Sequence, residues 1–468
     1  MTHLSFVPSF ATVFVVIYLT SAVAAALHAL LTKPDPRSAL CWIAVCWIFP
    51  LVGSVLYWIL GVNLIRRRGN PQCARPPTES PRLPSSAESH SLGALALAGD
   101  ALTPCRIVDG NFLEPLHEGE VAFPRMLQAI DAAAHTVWLA TYIFQTDEAG
   151  RKFVSSLQAA VARGVRVRAL VDGIGEWYSW PHVVPLLRRA GVPAERFLPP
   201  RLIPPNLSLN CRNHRKILIV DGHEAFIGGM NLGGREIAGS TGRRMADIHF
   251  SLHGPIVRQL AATFADDWLF VCCEQLQIPA PTSAAGPARC RVVTGGPDED
   301  ADKLLLLILT ALSIAQRQIL IMTPYFIPPP ELVAALQAAA LRGVEVCIVL
   351  PRHSNLHYVD WASLHWLPPL IARGVRVHFQ EPPFSHAKLL VIDGQYAQIG
   401  SVNVDTRSLR LNCEIAVEVF DAALCAALVA VIEKAASTAP PLRPGSLNEG
   451  SLVTRIRNSL AWLISPYL

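Results

Sequence analysis

Residues 211–231, CRNHRKILIVDGHEAFIGGMN, and residues 384–403, FSHAKLLVIDGQYAQIGSVN, are two copies of one pattern. Counting from the histidine, each places Lys at +2, Asp at +7, Gly at +14 and Asn at +17: His214, Lys216, Asp221, Gly228 and Asn231, then His386, Lys388, Asp393, Gly400 and Asn403. An isolated His-x-Lys is usually a solvated strand edge; five residue types repeated at fixed offsets reverse that expectation. The run after each Lys is β-rich and ends in Asp-Gly, a strong two-residue hairpin signal, so HEAFIGG and QYAQIGS read as return strands. Side chains alternate across a strand, so His and Lys share a face and can address one ligand atom. Each Asp, at an odd offset and in the turn, points elsewhere, which favours a structural or orienting role. Each Asn falls back near the start of its hairpin, where its amide can join the Lys in holding an oxyanion.

The likeness extends outward. HTVWLATYIF (135–144) and RGVRVRALVDG (163–173) in the first half match RQILIMTPYFI (317–327) and RGVEVCIVLP (342–351) in the second, each pair separated by a helical stretch. A further helix and strand follow in LLRRAGVPAERF and LIARGVRVHF. Alternating strands and helices of this length predict α/β units with a largely parallel sheet, repeated and packed face to face about a pseudo-twofold axis. Two sets facing each other give two His, two Lys and two Asn around one pocket. That inventory suits a phosphodiester: ammonium and amide groups neutralise its oxygens, one imidazole attacks, and the other protonates the leaving alcohol. Neither clustered carboxylates nor His/Cys ligand sets accompany the motifs, so no metal or other cofactor is expected.

Composition narrows the class. With 51% hydrophobic and 16% charged residues, the 468-residue chain is too apolar for disorder, and its formal charge of +4 demands no polyelectrolyte partner such as nucleic acid. Eleven cysteines without regular spacing argue against a disulfide scaffold or zinc ribbon. The apolar excess is concentrated in residues 6–31 and 39–65, which contain no Asp, Glu, Lys or Arg. Each run exceeds the roughly 20 residues needed to cross a bilayer. They are separated by Lys33-Pro34-Asp35-Pro36-Arg37 and followed by Arg66-Arg67-Arg68. This predicts a transmembrane hairpin with both termini and the catalytic part in the cytoplasm, although Pro50 can kink the second run or make it re-entrant. The expected organisation is membrane helices in 1–68, a Pro/Ser-rich linker in 69–100, two homologous α/β domains in 101–285 and 286–440, and an amphipathic tail in 441–468. Arg455–Leu468, with Trp462, Leu463 and Tyr467, either lies on the bilayer or caps the second domain.

The doubled segments resemble the paired HxKxxxxD signatures of the phospholipase D superfamily and, with the membrane hairpin, the arrangement resembles bacterial cardiolipin synthases. The resemblance covers roughly residues 105–440. It implies a phosphohistidine intermediate, with His214 as nucleophile and His386 as general acid/base, or the reverse. It places Lys216, Asp221, Lys388 and Asp393 in the catalytic signature and Asn231 and Asn403 on the substrate phosphate. A downstream carboxylate would orient each histidine, Asp247 and Glu414 sitting in the matching strands. Tyr142 and Tyr325 would line the pocket or serve as core aromatics. Thr406, Arg407 and Ser408 match the segment after the second motif, with Arg407 orienting structure. The tail after Asn231, NLGGREIAGSTGRR, departs from the commonest form, and Arg243 and Arg244 either meet lipid phosphates or form a solvated loop.

The implied reaction is transfer of a phosphatidyl group from one phosphatidylglycerol to a second, giving cardiolipin and glycerol at the inner membrane. Alternatives are hydrolysis through the same intermediate, phosphatidylethanolamine as co-substrate, or a catalytically dead scaffold, which intact motifs disfavour. Oligomeric state is left open.

Overall fold

The computed structural model describes residues 10–33, 35–62, 90–200, 211–237, 244–297, 301–445 and 451–464. Pro34, Arg243 and Tyr467 lie outside these residues, as do 69–89 of the expected linker and the Arg66–Arg68 run. The chain forms two compact units, one within residues 1–65 with 200–210, the other from the remainder.

In the first unit, helix α1 (Phe10–Thr32) is apolar throughout, the one described helix long enough to cross a bilayer by length and composition. It buries Ala22, Ala25, Ala26 and Ala29, a stripe of small side chains that lets the returning chain approach, with Ala25 and Ala29 meeting Trp42, Cys46 and Tyr57. Asp35 caps α2 (Pro36–Ile48) by accepting the Ser38 N–H at 2.9 Å. The second apolar run is not the single spanning helix expected. It breaks at Phe49 (φ −128°, ψ 69°) and restarts as α3 (Pro50–Leu56), which ends in a π-turn over Tyr57–Gly61. Pro50 lacks an N–H and biases the preceding residue away from helix, so the chain breaks there.

The larger unit holds both halves. In the first, the strands are β1 (Val108–His117), β2 (Thr136–Thr141), β3 (Arg166–Asp172), β4 (Ala194–Phe197), β5 (Ile217–Val220), β6 (Glu224–Gly228), a short β7 (Met245–Ala246) and β8 (Ile248–His253). In the second they are β9 (Ala288–Gly295), β10 (Gln318–Met322), a short β11 (Phe326–Ile327), β12 (Glu345–Pro351), β13 (Arg376–Gln380), a short β14 (Phe384–Ser385), β15 (Leu389–Ile392), β16 (Tyr396–Gly400), a short β17 (Val404–Asp405) and β18 (Glu414–Phe420). One 14-stranded sheet runs β13-β12-β10-β15-β16-β18-β9-β1-β8-β6-β5-β2-β3-β4. From either edge inward the order of equivalent strands is the same, which is the expected pseudo-twofold α/β duplication.

Two details differ from the sequence expectation. The halves join edge to edge, β1 pairing antiparallel with β9 (Asn111↔Ala288), rather than stacking face to face. Within the 14-stranded sheet only the outer three strands of each half are parallel (β2-β3-β4 and β10-β12-β13), because helical crossovers connect them. The motif strands are antiparallel because a tight turn joins them.

Helices α5 (Glu118–Ala132), α6 (Glu148–Ala162) and α7 (Val183–Arg189) flank the first half. Helix α8 (Ile256–Cys272) packs on the same sheet through residues such as Phe264, stacked on Trp138. The expected linker is shorter than the composition suggested: α4 (His90–Leu102) is helical, and Leu95 enters the second half's core beside Val293 and Leu304. Arg291, buried beneath α4, bonds the Ala96 carbonyl at 2.9 Å and Asp100 at 2.7 Å. The second half carries α9 (Lys303–Ile314), α10 (Pro330–Leu341), α11 (His357–Ile371), α12 (Thr406–Arg410), α13 (Ala422–Ala436) and α14 (Leu452–Ile464).

The motif Asp and Gly residues build this frame. Asp221 (φ 51°) and Gly222 (φ 68°) form a turn closed by His223 N–H to the Val220 carbonyl, and Asp393 and Gly394 repeat it. The Asp221 carboxylate accepts the backbone N–H groups of Ala134, His135 and Thr136 at 2.6–2.8 Å, while Asp393 accepts those of Gln316, Arg317 and Gln318. Each Asp thus pins the start of β2 or β10 at the strand end remote from its His-x-Lys, so neither reaches the reacting groups. The glycine at +14 answers another constraint: a Cβ on Gly400 (φ 141°) would lie 2.2 Å from the Ile415 carbonyl oxygen.

Asp221→Ala and Asp393→Ala are each expected to destabilise the protein by about 1–3 kcal/mol, the net loss of three hydrogen bonds from exposed or half-buried N–H groups to a carboxylate. Thermal unfolding of the detergent-solubilised full chain checks this. The folded fraction should keep the wild-type turnover; complete inactivation without loss of stability would contradict a structural role.

Candidate active site

Each histidine sits just before a motif strand, on a short segment that crosses to the other half. His214 N–H donates to the Cys413 carbonyl at 2.9 Å, and Cys413 N–H returns to Arg212 at 2.8 Å. His386 N–H donates to the Ala246 carbonyl at 2.7 Å, where β14 pairs with β7. The residues following these acceptors are Glu414 and Asp247. Backbone register therefore delivers each carboxylate to the imidazole of the opposite half, so His386 is held by an upstream carboxylate and not by the downstream one expected: His214 Nδ1 lies 3.0 Å from Glu414, and His386 Nδ1 lies 3.0 Å from Asp247. Both carboxylates are fully buried.

Hydrogen bonding at Nδ1 fixes the tautomer and leaves Nε2 to face a ligand. Ser401 Oγ donates to Glu414, and its N–H to the Ile415 carbonyl. Gly229 occupies the equivalent place beside Asp247, where a Cβ would come within 2.3 Å of Oδ2. The two Lys ammoniums fold back onto their own histidines, Lys216 Nζ reaching the His214 carbonyl at 2.7 Å and Lys388 Nζ the His386 carbonyl and ring.

Burial and like charge dominate the electrostatics. Burial pushes Lys216 down to about 7, with Lys388 adding repulsion. Lys388 is lowered chiefly by burial too. Burial, Lys388 and Lys216 hold His386 well below its ordinary value, and burial likewise lowers His214 against the pull of Glu414. The carboxylates differ. Burial lifts Asp247 to about 6, whereas in Glu414 burial is outweighed by His214 and Lys216, leaving it below its usual range. At neutral pH both imidazoles are therefore neutral, set between two lysines and the Glu414 and Asp247 carboxylates.

Tyr142 stands edge-on to His214 with ring centroids 5.2 Å apart, and Lys216 Nζ lies 5.6 Å from its centroid. Tyr325 stands 5.9 Å from His386 and donates to Asn355 at 2.6 Å. Both tyrosines line the site. The asparagines are partly engaged by protein: Asn231 Oδ1 accepts the Ile143 N–H at 3.2 Å, and Asn403 Nδ2 donates to Ser408 Oγ at 3.2 Å. Asp405 caps α12 by accepting the Ser408 N–H at 2.6 Å, so Thr406–Ser408 form its first turn. Arg244 is not a free phosphate contact; it pairs with Glu118 and, at 3.2 Å, with Glu120. Among the described residues no group of three or more His, Cys, Asp or Glu is arranged to hold a metal.

Two further residues, outside the motif pattern, shape the site. Arg215, between His and Lys, is buried and bonds Asp267 at 2.6 Å, the Glu414 carbonyl at 3.0 Å and the Gly295 carbonyl at 3.3 Å, riveting the halves behind the histidines. Its place at an odd offset, on the face opposite His and Lys, was the available signal. Glu236, in the atypical tail after Asn231, is buried, accepts the Asn231 N–H at 3.2 Å and is pushed up to about 8 by burial and Asp247.

The chain matches the family model "Cardiolipin synthase, PLD-like domain" over residues 126–268 and 308–435, more than half its length, and "Phospholipase_D-nuclease N-terminal" over 21–61. It is 31% identical to a cardiolipin synthase of Geobacillus kaustophilus over 86% of this chain and 83% of that protein. It is 29% identical to the major cardiolipin synthase ClsA of Bacillus subtilis over 93% of this chain and 95% of that one. Among solved structures, a phosphatidylserine synthase from Haemophilus influenzae superposes with a TM-score of 0.61 at 13% identity, over 80% of this chain and all of that one, a likeness of fold. The chain is therefore an enzyme of the phospholipase D superfamily and belongs to the family with the cardiolipin synthase PLD-like domain.

Proposed function

We propose that this protein is a membrane-bound phosphatidyltransferase that makes cardiolipin from two phosphatidylglycerol molecules and releases glycerol. The observation that carries this is the pair of neutral imidazoles, each held at Nδ1 by a buried carboxylate of the other half and flanked by two buried ammoniums. A phosphodiester anion placed between them meets cations at its non-bridging oxygens and an imidazole on each side of phosphorus. The apolar α1 and the match at 21–61 support membrane association, which brings the site to substrates confined to a bilayer. Flanking basic residues favour a cytoplasmic orientation.

In the first step His214 Nε2 attacks phosphorus while the P–O bond to one glycerol breaks. The leaving oxygen takes a proton from His386 Nε2, giving a phosphatidyl-histidine and free glycerol. In the second, neutral His386 removes the proton from a glycerol hydroxyl of another phosphatidylglycerol, whose oxygen attacks phosphorus and frees His214. His214 suits the nucleophile because Glu414 stays a firm anion and steadies the cationic ring that forms. His386 suits the acid because an incoming phosphodiester offsets the lysines that, with burial, depress its proton affinity.

Purified full-length protein in liposomes of phosphatidylglycerol, with chelator, should yield cardiolipin and glycerol in equal amounts, and His214→Ala and His386→Ala should abolish both products. Phosphatidic acid in place of cardiolipin would make the enzyme a hydrolase. Glu414→Gln and Asp247→Asn should lower kcat by about 10²–10⁴-fold with KM little changed, since each keeps a hydrogen-bond acceptor but loses the charge that steadies an imidazolium; unchanged kcat would remove the carboxylates from the mechanism. Because Lys216 holds its proton below about pH 7 and loses it above, kcat/KM for the anionic substrate should fall on the alkaline side of about 7. Lys216→Arg should move that limb to higher pH; a limb that stays put would assign it to another group.

A further inference from the structure

Helix α14 is packed with its apolar side outward. At 100° per residue, Leu452, Val453, Ile456, Leu460 and Leu463 fall within about 100° of arc. Each is 51–76% exposed. Arg455 and Arg457 sit at the two margins of that stripe, and Arg457 lies 4.5 Å over the Trp361 ring. The opposite side is the one that packs: Ala461 is buried with Val359 and Ala362 of α11, and Trp462 stacks on His365 at 4.1 Å. A contiguous exposed apolar stripe with cationic margins is the pattern of a helix lying in a bilayer interface.

A second apolar projection stands on the other side of the site. Trp177, Tyr178 and Trp180, in the connection from β3 to α7, are 62%, 55% and 83% exposed. Trp and Tyr favour the headgroup level of membranes. Both projections are continuous with the reacting groups. The Tyr178 ring is 6.2 Å from Tyr142, which abuts His214, and Tyr325, which abuts His386, packs into the same cluster as Val359, Ala362 and Ala461.

We propose that α14 and the Trp177–Trp180 connection form one bilayer-docking surface of the larger unit, which enters the headgroup region of an anionic phospholipid membrane and seats the site over its lipid substrates. The surface deepens the phosphatidyltransferase assignment, on which its role in catalysis rests. Its cationic margins suit anionic headgroups, and its position beside both tyrosines shortens the path of a headgroup from bilayer to histidines.

The test uses the full chain in proteoliposomes, comparing wild type with Ile456→Gln/Leu460→Gln/Leu463→Gln and with Trp177→Ser/Trp180→Ser. Bilayer-resident long-chain phosphatidylglycerol is assayed beside dihexanoyl phosphatidylglycerol below its micellar concentration. Each variant should lose at least about tenfold in rate on the bilayer substrate and keep the wild-type rate on the dispersed one. Tryptophan quenching by 6,7-dibromo lipid should also fall in Trp177→Ser/Trp180→Ser. Equal rates on both substrates, equal loss on both, or a changed oligomeric state with unchanged quenching would overturn the docking surface. If wild type transfers neither substrate, the functional assignment fails, and the quenching difference alone decides the docking.

Discussion

Everything in the larger unit depends on two short backbone crossings. Where His214 bonds to Cys413 and His386 to Ala246, each half lends its peptide groups to the segment carrying the other half's histidine. The residue after each acceptor is the carboxylate that holds the ring. The site is thus a consequence of strand register between repeats: neither half alone carries a paired imidazole. Arg215 shows the cost of this closeness. A guanidinium 2% exposed must be satisfied by Asp267 and by carbonyls of the second half. Burying such a charge is tolerated only when each donor finds a partner.

The same burial sets the chemistry. Two lysines, two histidines and two carboxylates share a volume from which water is largely excluded, so burial heads the causes that depress the cations and raise Asp247. An anionic phosphodiester adds negative charge beside these depressed cations. Its arrival restores protons to the lysines and permits one imidazole to carry one, so binding prepares the acid that the first step consumes.

Much of this was legible in the residues. The offsets of His, Lys, Asp, Gly and Asn follow from strand alternation and a hairpin turn, local rules that a single sequence displays. The turn role of Asp221 and Asp393 followed from their odd offset. What stayed hidden was long-range. His214 and Glu414 are 200 residues apart and His386 and Asp247 139 apart, and a duplicated sequence offers each histidine two equivalent carboxylates without saying which register selects. The edge-to-edge joining of the halves was hidden for the same reason, as was the burial of α4 against Arg291, because a polar, proline-rich composition nearby masked a helix whose partners lie far along the chain. At Pro50 the local signal was present, and its outcome depended on Phe49 leaving the helix.

On this reading the crossed pairs make one centre in which His214 takes the phosphatidyl group. Mass mapping of His386→Ala after reaction with phosphatidyl-p-nitrophenol tests it directly, since that leaving group departs without a proton. A burst of about one p-nitrophenolate per chain is expected, with a phosphatidyl group on His214 in the 211–231 segment. No burst, or an adduct on any other residue, would contradict it.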